Sequence, residues 1–147
     1  MSYIVLDKEV GTRDAYLKQW IGQGHGTLCY TVDGKLGTET LKTKSFMRKL
    51  EIWQSRGRAI RASLAKMNKA RNAIKGFTLR SDDPHILQLA IACRAKILCT
   101  DDKNLKRDFE EVVAKVIGEQ TKLYPFKGKD AEKKAFLAKN RCGRVTN

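Results

Sequence analysis

The chain has 147 residues, enough for one domain with a real core and too few for two ordinary ones. Hydrophobic residues make up 41% and charged residues 31%, with two prolines and no low-complexity tract, so the composition excludes a disordered tail. Thirty Lys and Arg against 16 Asp and Glu give a formal net charge of +14, which favours a polyanionic partner such as nucleic acid.

In chain order, "YIVL" (3–6) reads as a short strand ending at Asp7. The stretch after it places Ala15, Leu17, Trp20 and Ile21 near helical spacing until glycines stop the helix. "TLCYTV" (27–32) is a second strand, closed by the turn pair Asp33 and Gly34. Residues 39–55 set Phe46, Leu50 and Trp53 on one face of a helix with a basic outer face. "GRAIRAS" (57–63) holds a short strand, and 64–75 a helix whose Lys66, Lys69, Arg71 and Lys75 face solvent. From Pro84 to Arg94 apolar residues cover nearly the whole circumference, which predicts a helix packed in the interior. "KILCT" (96–100) is a buried strand, followed by a helix over 104–117, a late strand or edge at "KLYPF" (122–126) and a terminal basic helix over 130–140. Strands and helices in alternation predict a central, mainly parallel sheet with helices on both faces, a three-layer α/β/α sandwich formed by the whole of 1–147.

No stretch approaches the roughly 18 apolar residues of a membrane span, and no basic region precedes the short N-terminal apolar run. A cytoplasmic location is the expectation. Cys29, Cys93, Cys99 and Cys142 lack the paired spacing of a zinc site, and apolar context makes Cys93 and Cys99 buried free thiols. Trp20, Trp53 and Phe46 fit core stripes better than a base-stacking platform, and His25 and His85 read as loop and helix-start residues.

"SDDPHILQLAIACRAKILCTDD" (81–102) brackets its apolar run with aspartates. Asp83 before Pro84 is a natural N-cap. A helix over 83–94 descends roughly 18 Å, and the strand after Ala95 climbs back roughly 16 Å. Asp83 and the pair Asp101 and Asp102 therefore fall at one end of the sheet, beyond the carboxyl ends of the strands. Asp7 follows the first strand to the same edge, and Glu39 begins the next helix near it. Carboxylates gathered in a cleft repel one another unless a cation offsets them, and a hard, oxygen-binding ion such as Mg²⁺ or Mn²⁺ suits such a set. The plain alternative is that these aspartates cap helices.

The run "SDDPHILQLAIACRAKILCTDDKNLKRDF", with "YIVLD" at the start, resembles the PIN domain, a nuclease family that includes the toxins of many toxin and antitoxin pairs. The match is specific over about thirty C-terminal residues, and the element order agrees along nearly the whole chain. The resemblance implies a PIN-like sandwich, a site of acids binding Mg²⁺ or Mn²⁺, and hydrolysis of RNA. By motif, Asp7 matches the first acid, Asp83 the acid opening the buried helix, and Asp102 the acid of the Thr-x-Asp unit. Glu39 is assigned as the second acid, with Glu51 the weaker choice.

In the implied reaction Asp7, Asp83 and Asp102 hold the metal with help from Asp101, and Glu39 or the metal itself readies the attacking water. Thr100 orients the site by a hydroxyl hydrogen bond. Lys66, Lys69, Arg71 and Lys75, together with Lys133, Lys134, Lys139 and Arg141, are candidate phosphate contacts. Lys8 and Glu9 replace the small hydroxyl residue and the amide common after the family's first acid, which puts metal affinity in question. The expected partners are RNA, an acidic antitoxin and a second copy of the chain. The alternatives are a catalytically weakened PIN-fold RNA-binding or scaffold protein, or a DNA-acting structure-specific nuclease.

Overall fold

The structure is a computed structural model that describes residues 3–7, 14–32, 44–82 and 84–141. Strand β1 (Tyr3–Leu6) is followed by α1 (Ala15–Gly22), β2 (Thr27–Tyr30), α2 (Lys44–Ser55), β3 (Ala59–Arg61), α3 (Leu64–Ala73), α4 (Pro84–Cys93) and β4 (Ile97–Cys99). Helix α5 (Lys103–Asp108) runs through a π turn (Phe109–Val113) into α6 (Ala114–Ile117), and β5 (Lys122–Leu123) and α7 (Asp130–Lys139) follow.

The five strands pair in the order β3-β2-β1-β4-β5, all parallel. Central β1 sets Tyr3 against Thr27 on one side and Leu6 against Cys99 on the other. The chain works outward from β1 to β3, then returns through α3 and α4 to lay β4 on the far side of β1. Such a reversal of direction, at the carboxyl ends of β1 and β4, is where open parallel sheets form their ligand crevices.

Alternation along the strands divides the core between the two faces of the sheet. Val5, Cys29 and Leu98 pack with Met67 of α3, with Ile86, Leu87, Leu89 and Ala90 of α4, and with Phe109 and Val113. Ile4, Leu28, Tyr30, Ile97 and Cys99 pack with Leu17, Trp20 and Ile21 of α1, Leu50 and Trp53 of α2, and Leu137 of α7. The expected α/β architecture, with a parallel sheet covered on both faces, is the one the chain adopts. Trp20 and Trp53 are core residues as their spacing predicts, and the Trp20 indole donates to the Leu137 carbonyl at 2.9 Å. Gly26 enters β2 directly beneath Trp20, where an added Cβ would lie 2.0 Å from the ring, so the close approach admits only glycine.

Helix α4 is apolar all round because it lies between α3 and the sheet, with Ile86, Leu87 and Ala90 fully buried. Arg94 ends it in the left-handed region at φ 55°, and the Ala95 amide donates to the Ala90 carbonyl at 2.7 Å. That turn is the tight connection that the matched lengths of helix and strand require. Cys29, Cys93 and Cys99 are buried free thiols, as expected, while Cys142 lies outside the described residues. Among the described residues no helix is long and apolar enough to cross a membrane.

Candidate active site

Strand pairing continues one residue past β1, where the Asp7 amide donates to the Cys99 carbonyl at 2.9 Å. This fixes Asp7 against the end of β4. By the two-residue alternation Asp7 shares a face with Val5, and Thr100 shares that face with Leu98. The Thr100 hydroxyl accordingly donates to Asp7 Oδ2 at 2.5 Å, and its oxygen accepts the Asp102 amide at 3.1 Å. Asp7 is 6% exposed and Thr100 1%, so this link across the reversal point is almost dry. The orienting hydrogen bond expected of Thr100 is present.

Asp102 is the N-cap of α5, with Oδ1 accepting the amides of Asn104 at 2.9 Å and Leu105 at 3.2 Å. The capping alternative is therefore realised at Asp102, which remains exposed at the carboxyl edge of the sheet. Its other oxygen makes no hydrogen bond among the described residues. The neighbouring Asp101 turns elsewhere, and its Oδ1 pairs with Lys127 Nζ at 2.8 Å. Asp83 and Glu39, together with Lys8 and Glu9, lie outside the described residues. Glu51 is exposed in the half of α2 that leads to the start of β3, at the opposite end of the sheet from Asp7. Among the described residues no three His, Cys, Asp or Glu side chains form a metal-holding group.

Two acids that the pattern did not single out are built into the same end of the molecule. Asp14 caps α1, taking the Leu17 amide at 3.0 Å and the Tyr124 hydroxyl at 2.8 Å on Oδ1, and the Lys133 ammonium at 2.9 Å on Oδ2. One buried carboxylate thus joins α1, the end of β5 and α7. An N-cap signal was legible at Asp14, because it directly precedes the apolar helical stripe. Asp108, 1% exposed, closes on the segment before α4, accepting the Arg80 amide on both oxygens at 3.0 Å and the Ser81 amide at 2.8 Å.

Burial pushes the Cys99 thiol up to about 12, and the nearby Asp14 and Asp7 carboxylates add to the shift. Burial alone would raise the Asp14 carboxyl, but the Leu17 amide, the Lys133 ammonium and the Tyr124 hydroxyl together bring it below its ordinary 3.8. Burial and the Asp14 carboxylate push the Tyr124 hydroxyl well above its ordinary range. A carboxyl whose folded pKa is depressed stabilises the fold above the unfolded value of 3.8, and that stability is lost as pH falls through the folded value. Asp14→Asn should therefore flatten the acid limb of stability. Urea midpoints measured from pH 5 downward check this, and a limb as steep as that of the parent chain would contradict it.

The basic residues divide by position. Lys66, Lys69 and Arg71 are exposed on α3, and Lys75 is exposed just beyond its C-cap Ile74, so all four face solvent as expected. However, α3 begins at the carboxyl edge and runs away from it, so Arg71 lies about 7 Å farther along the axis than Lys66 and Lys75 lies beyond the far end of the helix. Only Lys66 is at the end that carries the acids. Lys133 is not a solvated charge: its side chain is 16% exposed, paired with Asp14, and lies 5.6 Å from the Phe126 ring.

Compared with protein-family models, curated proteins and solved structures, the chain has no match.

Proposed function

We propose that this chain is a metal-dependent endoribonuclease of PIN-like fold, hydrolysing RNA phosphodiester bonds with Mg²⁺ or Mn²⁺. The observation that carries the reading is the nearly dry Asp7 carboxylate, held by Thr100 at the reversal point of a parallel sheet beside the exposed Asp102. A buried acid at the carboxyl edge of a parallel sheet, where such sheets take their ligands, is a candidate for a functional role.

The donor chemistry fits a hard cation. Mg²⁺ is commonly bound by one or two carboxylates with water and substrate phosphate completing its shell, and Asp7 and Asp102 supply that minimum. Asp83 and Glu39 are the residues expected to complete the set. Bound there, the ion supplies positive charge against that developing on the phosphate, and lowers the pKa of water. The chain's own contribution is orientation. Thr100 fixes one oxygen of Asp7, the α5 amides fix one oxygen of Asp102, and the Asp108 clamp holds the segment that leads into α4. The net charge of +14 favours a polyanionic strand at physiological salt.

A non-catalytic RNA-binding protein of the same fold is the second reading. It is favoured by the ion pair at Asp101 and the helix cap at Asp102, which engage carboxylates that a metal would otherwise use. The deciding experiment incubates purified protein with a mixed RNA pool in Mg²⁺, in Mn²⁺ and in EDTA, with a branched DNA in parallel. Cleavage of RNA that requires metal is the expected result. Salt-sensitive binding without cleavage under either ion overturns it in favour of the second reading, and cleavage confined to DNA replaces the substrate.

A further inference from the structure

We propose that Lys127 is a contact for an RNA backbone phosphate, and that Asp101 is its resting counterion rather than a metal ligand. The inference rests on the RNA-directed reading above. It starts from the three consecutive residues that leave β4. Thr100 turns to Asp7, Asp102 turns to the amides of α5, and Asp101 turns to Lys127, 2.8 Å away. Adjacent carboxylates therefore point to different partners.

Lys127 is held in place by local structure. The Gly128 amide donates to the Pro125 carbonyl at 2.9 Å, closing a four-residue turn with Lys127 in its third position and glycine in its fourth. A Cβ on Gly128 would lie 2.9 Å from Glu132 and 3.1 Å from the Pro125 carbonyl oxygen, so the turn closes tightly there. At its entrance Tyr124 is 2% exposed and tied through its hydroxyl to Asp14. The ammonium group is thus carried on an anchored turn beside Asp101, at the end of β4.

The pair is wet, with side chains 72% exposed for Lys127 and 44% for Asp101. Exposed ion pairs hold weakly, so exchanging a carboxylate for a phosphodiester oxygen costs little. Lys133 cannot make this exchange so cheaply, because its partner Asp14 is buried and would be left without its cation. Lys106 lies one helical turn beyond Asp102, half buried, and its charge reaches Cys99.

The test measures binding of a short fluorescein-labelled single-stranded RNA in EDTA, by anisotropy, over roughly 50 to 200 mM salt. Lys127→Gln should weaken binding about three- to tenfold and reduce the salt slope by about 0.7. Asp101→Asn, which frees Lys127, should tighten binding at low salt and leave affinity for Mn²⁺ alone unchanged in a metal titration. Lys115→Gln, an exposed charge near the far end of the same helical run, controls for net charge. An unchanged salt slope in Lys127→Gln, or a drop matched by Lys115→Gln, overturns the proposal. So does loss of Mn²⁺ affinity in Asp101→Asn, which would make Asp101 a ligand. Because binding is read without metal, a Lys127 effect in a protein that never cleaves would sink the nuclease and leave the contact standing.

Discussion

Replacing Asp108 with alanine is expected to cost the fold about 3–5 kcal/mol. The carboxylate is 1% exposed and accepts the amides of Arg80 and Ser81 through three contacts of 2.8 to 3.0 Å. A hydrogen bond to a charged acceptor contributes about 1.5–3 kcal/mol. Alanine removes the acceptor from both amides and brings no water to the buried one, so the desolvation cost remains after the bond is lost. Against a usual domain stability of about 5–15 kcal/mol, the variant would be marginal.

Asp108→Asn separates the charge from the shape. It keeps one carbonyl oxygen for Ser81 but cannot accept Arg80 on both sides, so a loss of about 1–2 kcal/mol is expected. Urea midpoints give both values. In the asparagine variant, amide exchange should quicken first at residues 80 and 81, ahead of the α4 interior. A loss below about 1 kcal/mol for alanine would mean that water reaches these amides and that the clamp is not a stabilising device.

Asp108 also marks where sequence reading stopped. Within "NLKRDFEEVV" it reads as one more polar residue on a helix, and the amides it serves lie 27 and 28 positions upstream. No local period carries that information. Asp14 is a similar case, since its cap was legible but its bond to Tyr124 spans 110 positions. Lys133 read as a candidate phosphate contact because lysine is usually exposed, and only the packing of α7 on α1 brings it to a buried acid. The strands and α4 were legible for the opposite reason. Short runs such as "YIVL" and "KILCT", and an apolar circumference from Pro84 onward, each suit one kind of burial, and that burial is what they meet. Asp101 shows a further limit. In a pattern of acids every acid looks like a ligand, and only the turn at Pro125 to Gly128 shows that this one has a cation beside it.

Asp7→Asn is expected to lower metal-dependent RNA cleavage by about 10³-fold or more while leaving the fold intact. The substitution keeps the side chain's volume and an acceptor for the Thr100 hydroxyl, so the 2.5 Å contact has a neutral counterpart. What it removes is a nearly dry negative charge at the one place where the sheet reverses direction. In the proposed reaction that charge helps hold the ion, and a ligand contribution of several kcal/mol corresponds to about three powers of ten in rate. Stability should change little, because asparagine keeps the volume of the side chain and its contact with Thr100. The two readouts together are diagnostic. Cleavage lost with the urea midpoint kept identifies Asp7 as a functional acid. Cleavage kept at the parent rate removes Asp7 from the site, and a fall in stability as large as the fall in activity makes its carboxylate part of the scaffold that joins β1 to β4.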